Sequence, residues 1–339
     1  MALPSTAFYC VCDSRYFLGA VAMLNSLRLA GHADPVYVLD CGLSASEREL
    51  LAPHATLVGG PADGPPWLLK TIVPLRHPAR VMVLIDTDVI VTRTLTELID
   101  DAAENRVAAF KTGYDRFFSE WSDLLALGPV RRRPYLCSAV VFLGGVAGKG
   151  VLQHMHDCQA SIPTGDGRTK TPREFFEAAA TTPLMLMDQD VLNAVLSSPQ
   201  VEEERIIALD HRLAPEPPFP GVRLIDESGV RCGYRDGTEP YVLHHLGAKP
   251  WIRAVRESPY SRLLVRLLVG PDLSVRVPEA RLPMRLRKGA AATASRALAR
   301  AQAGLRSAAW DPLSYRVGAR ADAVRSRLGG GRGRRGVDS

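Results

Sequence analysis

Along the first 270 residues, short apolar runs alternate with amphipathic stretches, the pattern of strands joined by helices. Phe8–Val11 reads as a buried strand, and Leu18–Ala30 as a helix ended by Gly31, with Val21, Leu24 and Leu27 along one side. Val36–Leu39 is a second strand. Ser44–Leu51 opens a helix with Ser44 as N-cap and Glu47 three residues on, the spacing of a capping box. Val81–Ile85 carries no polar side chain, which predicts a central parallel strand covered on both faces. Tyr135–Leu143 is a further apolar strand. Phe175–Ala180 and Asp190–Leu196 read as helices, Tyr241–His244 as a short strand and Pro259–Val269 as a helix. Residues 210–240, rich in Pro, Gly and charge, predict loop with short strands at most. No internal repeat is visible. The order implies an α/β domain.

Length and charge refine this picture. A chain of 339 residues with 46% apolar residues can bury a sizeable core, and one large α/β domain of about 250 residues plus an extension fits it best. The expected divisions are 1–257 for the domain, 258–289 for a helix and extended segment packed on it, and 290–339 for a basic Ala/Arg-rich tail. The net charge of +6 is uneven. Residues 280–339 hold thirteen Arg and one Lys against three Asp, a net +11, which leaves −5 on residues 1–279. The tail therefore predicts salt-sensitive docking on an anionic membrane surface, or a solvated extension. Too few aromatics interleave the charges for nucleic acid to be expected. No run reaches the roughly 18–20 apolar residues that cross a bilayer, and Met1–Ala7 lacks the basic start of a secretory signal. A cytoplasmic protein, peripheral at the membrane at most, is the expectation. Its six cysteines fit no zinc ribbon or redox pair, and Cys10 and Cys12 read as small core residues.

Three segments carry candidate chemistry. Asp86-Thr87-Asp88 follows the strand Val81–Ile85, at the end where open α/β sheets bind ligands. Residues two apart on a strand point the same way, so both carboxylates can reach one hard cation, Mg²⁺ or Mn²⁺. The plainer reading is a polar strand end. His244-His245-Leu246-Gly247-Ala248-Lys249-Pro250-Trp251 follows a short strand and offers an imidazole ligand, a glycine for close backbone approach and a lysine for phosphate. Asp188-Gln189-Asp190 opens a helix, either to bond sugar hydroxyls or as an ordinary N-cap. Gly144–Gly150 looks like a phosphate loop but lacks the required glycine and the Ser/Thr after Lys149. His154, His156 and Cys158 diverge on a helix and are not expected to hold metal.

Together, in this order over residues 7–251, these segments resemble glycosyltransferase family 8, which includes glycogenins and bacterial lipopolysaccharide galactosyl- and glucosyltransferases. The resemblance implies a GT-A type fold, a single Rossmann-like nucleotide-binding domain with a mixed central sheet, extended here by the basic helical C-terminus. It implies a retaining transfer of a hexose from a UDP-sugar to an acceptor hydroxyl on a glycan, glycolipid or small molecule. It assigns Asp86, Asp88 and His244 to Mn²⁺ on the diphosphate, and Lys249, Gly247 and Lys70 to the donor. Asp13-Ser14-Arg15-Tyr16 looks like the uracil site, Asp13 accepting from N3–H and Tyr16 stacking on the base. Asp188 and Gln189 fall against the donor sugar, with Gln189 beneath the anomeric carbon. An amide is a poor nucleophile, so a front-face route is expected, with Asp188 as the fallback nucleophile. The chain has one residue fewer between Gly247 and Lys249 than the family. Cys137 stands where the family has an Asn that touches a sugar hydroxyl, which leaves the donor sugar unassigned. Two other classes stay open, a nucleotidyltransferase and a non-catalytic UDP-sugar-binding or membrane-adaptor protein. The first would need a Gly-rich basic loop after the first strand, and Cys12–Tyr16 is not one.

Overall fold

A computed structural model describes residues 3–60, 66–162, 178–253, 255, 257–287 and 297. Strand β1 (Thr6–Cys12) leads through helix α1 (Phe17–Leu29) to β2 (Val36–Asp40), then α2 (Ala45–Leu51) to β3 (Thr56–Gly59). A short helix α3 (Ile72–Arg76) precedes β4 (Val81–Ile85) and β5 (Val89–Val91). Helix α4 (Thr96–Ala103), β6 (Val107–Lys111), α5 (Trp121–Leu124), β7 (Leu136–Gly144) and α6 (Gly145–Cys158) follow. After them come α7 (Asp188–Ser197), β8 (Ile206–Leu209), β9 (Arg223–Asp226), β10 (Arg231–Gly233), β11 (Val242–His244) and α8 (Pro259–Val269).

Seven strands form one mixed sheet in the order β3-β2-β1-β4-β7-β6-β8. Strand β4 is buried at all five positions, as its apolar run requires. It lies parallel to β1 on one side but antiparallel to β7 on the other, so the expected parallel setting holds on one side only. An unbroken apolar run reports two covered faces and says nothing of a neighbour's direction. The capping box of α2 is formed by Ser44 and Glu47 as predicted. Cys10 and Cys12 are buried in the core on one face of the sheet. Residues 210–240 hold only the two-stranded pair β9–β10 and short turns. The helix expected over Phe175–Ala180 lies mostly outside the described residues, and the tail from 290 lies outside them save for Ala297.

The Gly144–Gly150 segment has a packing reason for its first glycine. A Cβ on Gly144 would stand 1.7 Å from the Ala102 carbonyl oxygen, where β7 crosses the end of α4. Helix α8 buries Tyr260, Leu263, Leu264, Leu267 and Leu268 in the same core as β1 and β4. Asn25 of α1 clamps it there. Its Nδ2 donates to the carbonyls of Leu267 (2.9 Å) and Val275 (3.0 Å), and its Oδ1 accepts from Val275 N (2.9 Å). Both N–H donors of a buried amide, and its oxygen, are thereby engaged by the C-terminal segment. Among the described residues no helix is long and apolar enough to cross a membrane.

Candidate functional site

The strand order reverses between β1 and β4, with β2 and β3 on one side of β1 and β4 on the other. In open α/β sheets the crevice beyond the carboxyl ends at such a point receives ligands. Asp13 leaves β1 there and Asp86 leaves β4. The amide of Asp86 donates to Ala139 O of β7 (2.8 Å), and Val89 N turns back to Asp86 O (3.2 Å). Asp86 and Asp88 thus meet through a tight turn at the strand end, not through strand alternation. Strand β5 then pairs with β11, putting Val89 opposite His244, and His245 N donates to Asp88 O (3.0 Å). Two segments more than 150 residues apart in sequence are fastened together at the metal-ligand candidates.

Ligand atoms of Asp86, Asp88 and His244 lie within 4.8 Å of one another. His244 Nε2 faces Asp88 Oδ1 at 3.7 Å, and Oδ1 is buried without a hydrogen-bond partner. A buried carboxylate oxygen left unbonded is costly unless something charged completes it. Two hard oxygens and one imidazole nitrogen form a donor set suited to Mn²⁺, so the residues present fit a divalent cation. Lys249 binds the other oxygen of Asp88 and the carbonyl of His245 (2.7 Å), despite the shorter spacing after Gly247. Gly247 takes φ +83°, a left-handed turn that suits a residue without Cβ. Lys70 joins Asp86 Oδ1 (2.6 Å) to Asp188 Oδ2 (2.7 Å).

These charges act on one another. At Lys70 burial works against the ammonium, but Asp188 and Asp86 outweigh it and raise its pKa. Burial, with Asp88 and Asp188 nearby, holds Asp86 above the usual carboxylate range despite Lys70. At Asp88 burial is outweighed by Lys249 and His244, which hold it low. Burial also opposes a charged His244, yet Asp88, Cys137 and Glu216 raise its pKa.

The D-Q-D segment divides. Asp188 is not an N-cap; it meets Lys70. Gln189 Oε1 accepts from Ser138 N of β7 (3.3 Å), and its Nε2 donates to the Tyr114 hydroxyl (3.1 Å). Asp190 points away into the core. It takes both Arg116 Nε (2.6 Å) and Nη2 (2.9 Å), the Tyr135 hydroxyl (2.7 Å) and Leu186 N (2.7 Å). Asn193, one turn on, braces the helix against both backbone groups of Leu136.

Asp13 already accepts four bonds. Oδ1 receives Arg15 N (2.9 Å) and Tyr16 N (3.1 Å), and Oδ2 receives Arg15 Nε (3.0 Å) and Nη2 (2.8 Å). The half-buried ring of Tyr16 lies edge-on to Trp251, whose Nε1 donates to Arg15 O (2.8 Å). Gly19 lets this indole reach α1, since a Cβ there would stand 2.6 Å from the ring. The Asp13–Tyr16 loop and the His244–Trp251 loop therefore form one wall.

Sequence reasoning missed Glu216, which bonds His244 Nδ1 at 3.1 Å. It sits in a Pro-rich loop with no motif, brought over when His244 N donates to Pro215 O (3.2 Å). Cys137 lies against the same nitrogen at 3.7 Å.

No family model matches the chain, and no curated protein matches it in sequence. Solved structures do match in fold. One is an active-site mutant of LgtC, at TM-score 0.52 and 17% identity, covering 81% of this chain and 98% of that one. Another is the galactosyltransferase LgtC in complex with donor and acceptor sugar analogs, at TM-score 0.50 and 18% identity over the same shares. The likeness is one of architecture: this chain has the α/β, GT-A type fold of those glycosyltransferases, with a mixed seven-stranded central sheet.

Proposed function

We propose that this protein is a retaining, Mn²⁺-dependent glycosyltransferase that moves a hexose from a UDP-sugar to an acceptor hydroxyl on a glycan or glycolipid. The observation that carries the reading is the meeting of Asp86, Asp88 and His244 at the reversal point of the sheet, with Lys70 and Lys249 on the same two carboxylates. LgtC, solved with donor and acceptor sugar analogs, shares this fold and supports the substrate class.

In this reading Asp86, Asp88 and His244 would hold the cation, which would supply positive charge for the leaving diphosphate. Lys249 and Lys70 border the same space and add fixed charge for the leaving group. Asp13 and Tyr16 receive the base. Asp13 must then exchange Arg15, whose side chain is 70% exposed, for uracil N3–H, which cytosine lacks. Gln189 is held by Ser138 N and Tyr114 and presents an amide rather than a carboxylate to the sugar, which favours the front-face route. Asp188 is tied to Lys70 and would have to leave it to act as a nucleophile. The net +11 of residues 280–339 supports docking at an anionic cytoplasmic membrane face, where a lipid-borne acceptor would be met.

The test is UDP release from a panel of UDP- and CDP-sugars, with Mn²⁺ and with EDTA. EDTA should abolish release and Mn²⁺ restore it, and Asp88→Ala should lower turnover by at least roughly 10²–10³-fold, as loss of one electrostatic stabiliser does. Full activity in EDTA would overturn the metal assignment. Equal use of UDP- and CDP-donors would remove Asp13 from the base site.

A further inference from the structure

The described residues hold two groupings of metal-ligating atoms, and His244 belongs to both. The first is the aspartate pair with Nε2. The second lies on the other side of the ring, where Nδ1 meets Cys137 Sγ at 3.7 Å and Glu216 Oε1 at 3.1 Å, with Sγ and Oε1 3.9 Å apart. Zinc bonds of about 2.3 Å to sulfur and about 2.0–2.1 Å to nitrogen or oxygen, at tetrahedral angles, give edges of about 3.3–3.6 Å. The three observed separations each fall within about 0.4 Å of such an edge. Cys137 and His244 are buried, at 7% and 6% exposure, while the Glu216 side chain keeps 17% and leaves a side open for a water as fourth ligand.

We propose that Cys137, Glu216 and Nδ1 of His244 form a zinc site that withdraws His244 from the aspartate pair, so that zinc inhibits the transfer proposed above. A thiolate, an imidazole and a carboxylate are a borderline-soft set that selects Zn²⁺, whereas two aspartates and an imidazole suit the harder Mn²⁺. The ring allows one assignment at a time. With Glu216 accepting the Nδ1 proton, Nε2 is free to face Asp88. When zinc takes Nδ1, the thiol proton passes to solvent and the imidazole keeps its one remaining proton on Nε2, which can no longer serve as a ligand. Two cations on one ring would need the imidazolate, with both protons gone.

Zinc binding stands apart from the catalytic reading, so two measurements separate them. X-ray absorption on the full chain loaded with one equivalent of Zn²⁺ should show a sulfur neighbour at about 2.3 Å beside nitrogen and oxygen neighbours. Cys137→Ser should erase the sulfur shell and weaken zinc in calorimetry by at least the roughly tenfold that even an outer partner contributes. Asp88→Asn should keep the shell. A wild-type spectrum without sulfur, a Cys137→Ser variant that binds zinc as tightly, or loss of the shell in Asp88→Asn would each overturn the site. In the second measurement, Zn²⁺ added to the Mn²⁺-loaded enzyme should slow UDP release more in wild type than in Cys137→Ser, each against its own zinc-free rate. Equal slowing would overturn the competition through His244. No release from any donor would sink the proposed function and leave the absorption result to decide the zinc site.

Discussion

Replacing Asp190 by Asn tests whether the helix that carries Asp188 and Gln189 is fixed from inside the core. Asp190 is fully buried and its partner Arg116 keeps 6% side-chain exposure. Four donors converge on the two carboxylate oxygens, two from Arg116 and one each from Tyr135 and Leu186. Asparagine keeps the volume but removes the charge, and in either orientation its NH₂ faces an Arg116 N–H, which cannot accept. The guanidinium then lacks a countercharge and has only neutral oxygens to bond, Thr182 O (2.7 Å) among them. Breaking a buried pair from one side costs about 3–5 kcal/mol. At about 2–4 °C per kcal/mol for a large domain, Tm should fall by roughly 6–20 °C. Urea and thermal unfolding followed by circular dichroism would read this. The double variant Asp190→Asn, Arg116→Met removes the stranded charge and should recover part of the loss. A single-variant cost under about 1 kcal/mol, or strictly additive effects in the double variant, would refute the reasoning.

Two further predictions concern stability and the tail. Burial lowers the pKa of His32 despite Asp34, and Nε2 accepts from Leu95 N at 2.8 Å, a bond that protonation destroys. The unfolded chain therefore binds the proton first, so this stability is whole above about pH 6.5 and is lost as pH falls through the lower folded value. His32→Gln should flatten that part of the stability–pH curve, and an unchanged slope would remove His32 as its source. The full chain should co-sediment with anionic vesicles at low salt and be released at high salt, whereas a chain ending at Gly289 should not bind. If both remain in the supernatant at low salt, the tail has no membrane role.

The elements that the sequence made legible are those whose own residues decide them. Val81–Ile85 has no polar side chain to place at a surface, and Ser44 and Glu47 complete their capping box within one helical turn. Strands β6 and β8 carry no such mark, because Val107–Lys111 has two alanines at its centre and Ile206–Leu209 is a four-residue apolar run that pattern cannot tell from a turn of buried helix. The antiparallel run of β7 depends on where α4 and β6 have taken the chain, which no local pattern states. In the site, residue types pointed to Asp86, Asp88 and His244, yet not to Glu216, whose role exists only once its loop lies beside β11. The two aspartates of D-Q-D are alike in sequence. Only their partners, Lys70 beside Asp86 and Arg116 in the core, separate a candidate site residue from a core one.

The same distinction reaches down to single oxygen atoms. Asp88 gives Oδ2 to Lys249 and turns Oδ1, unbonded, toward His244. Lys249 and a cation therefore need not compete for one oxygen, and the lysine lowers the repulsion between carboxylates that a cation must otherwise offset alone. Lys249 then has two separable effects. Its charge disfavours a bare cation nearby, because like charges about 4–6 Å apart repel by a few kcal/mol at an effective dielectric near 20. Its charge favours a diphosphate in the same place. Lys249→Met should accordingly leave Mn²⁺ binding without nucleotide no weaker than in wild type, while UDP binding in saturating Mn²⁺ weakens by about tenfold or more, as loss of one charge-assisted bond implies. Calorimetry with each ligand in turn reads both. If Mn²⁺ binding collapses in the variant, Lys249 is holding Asp88 in place as a structural strut, and its assignment to the leaving diphosphate is wrong.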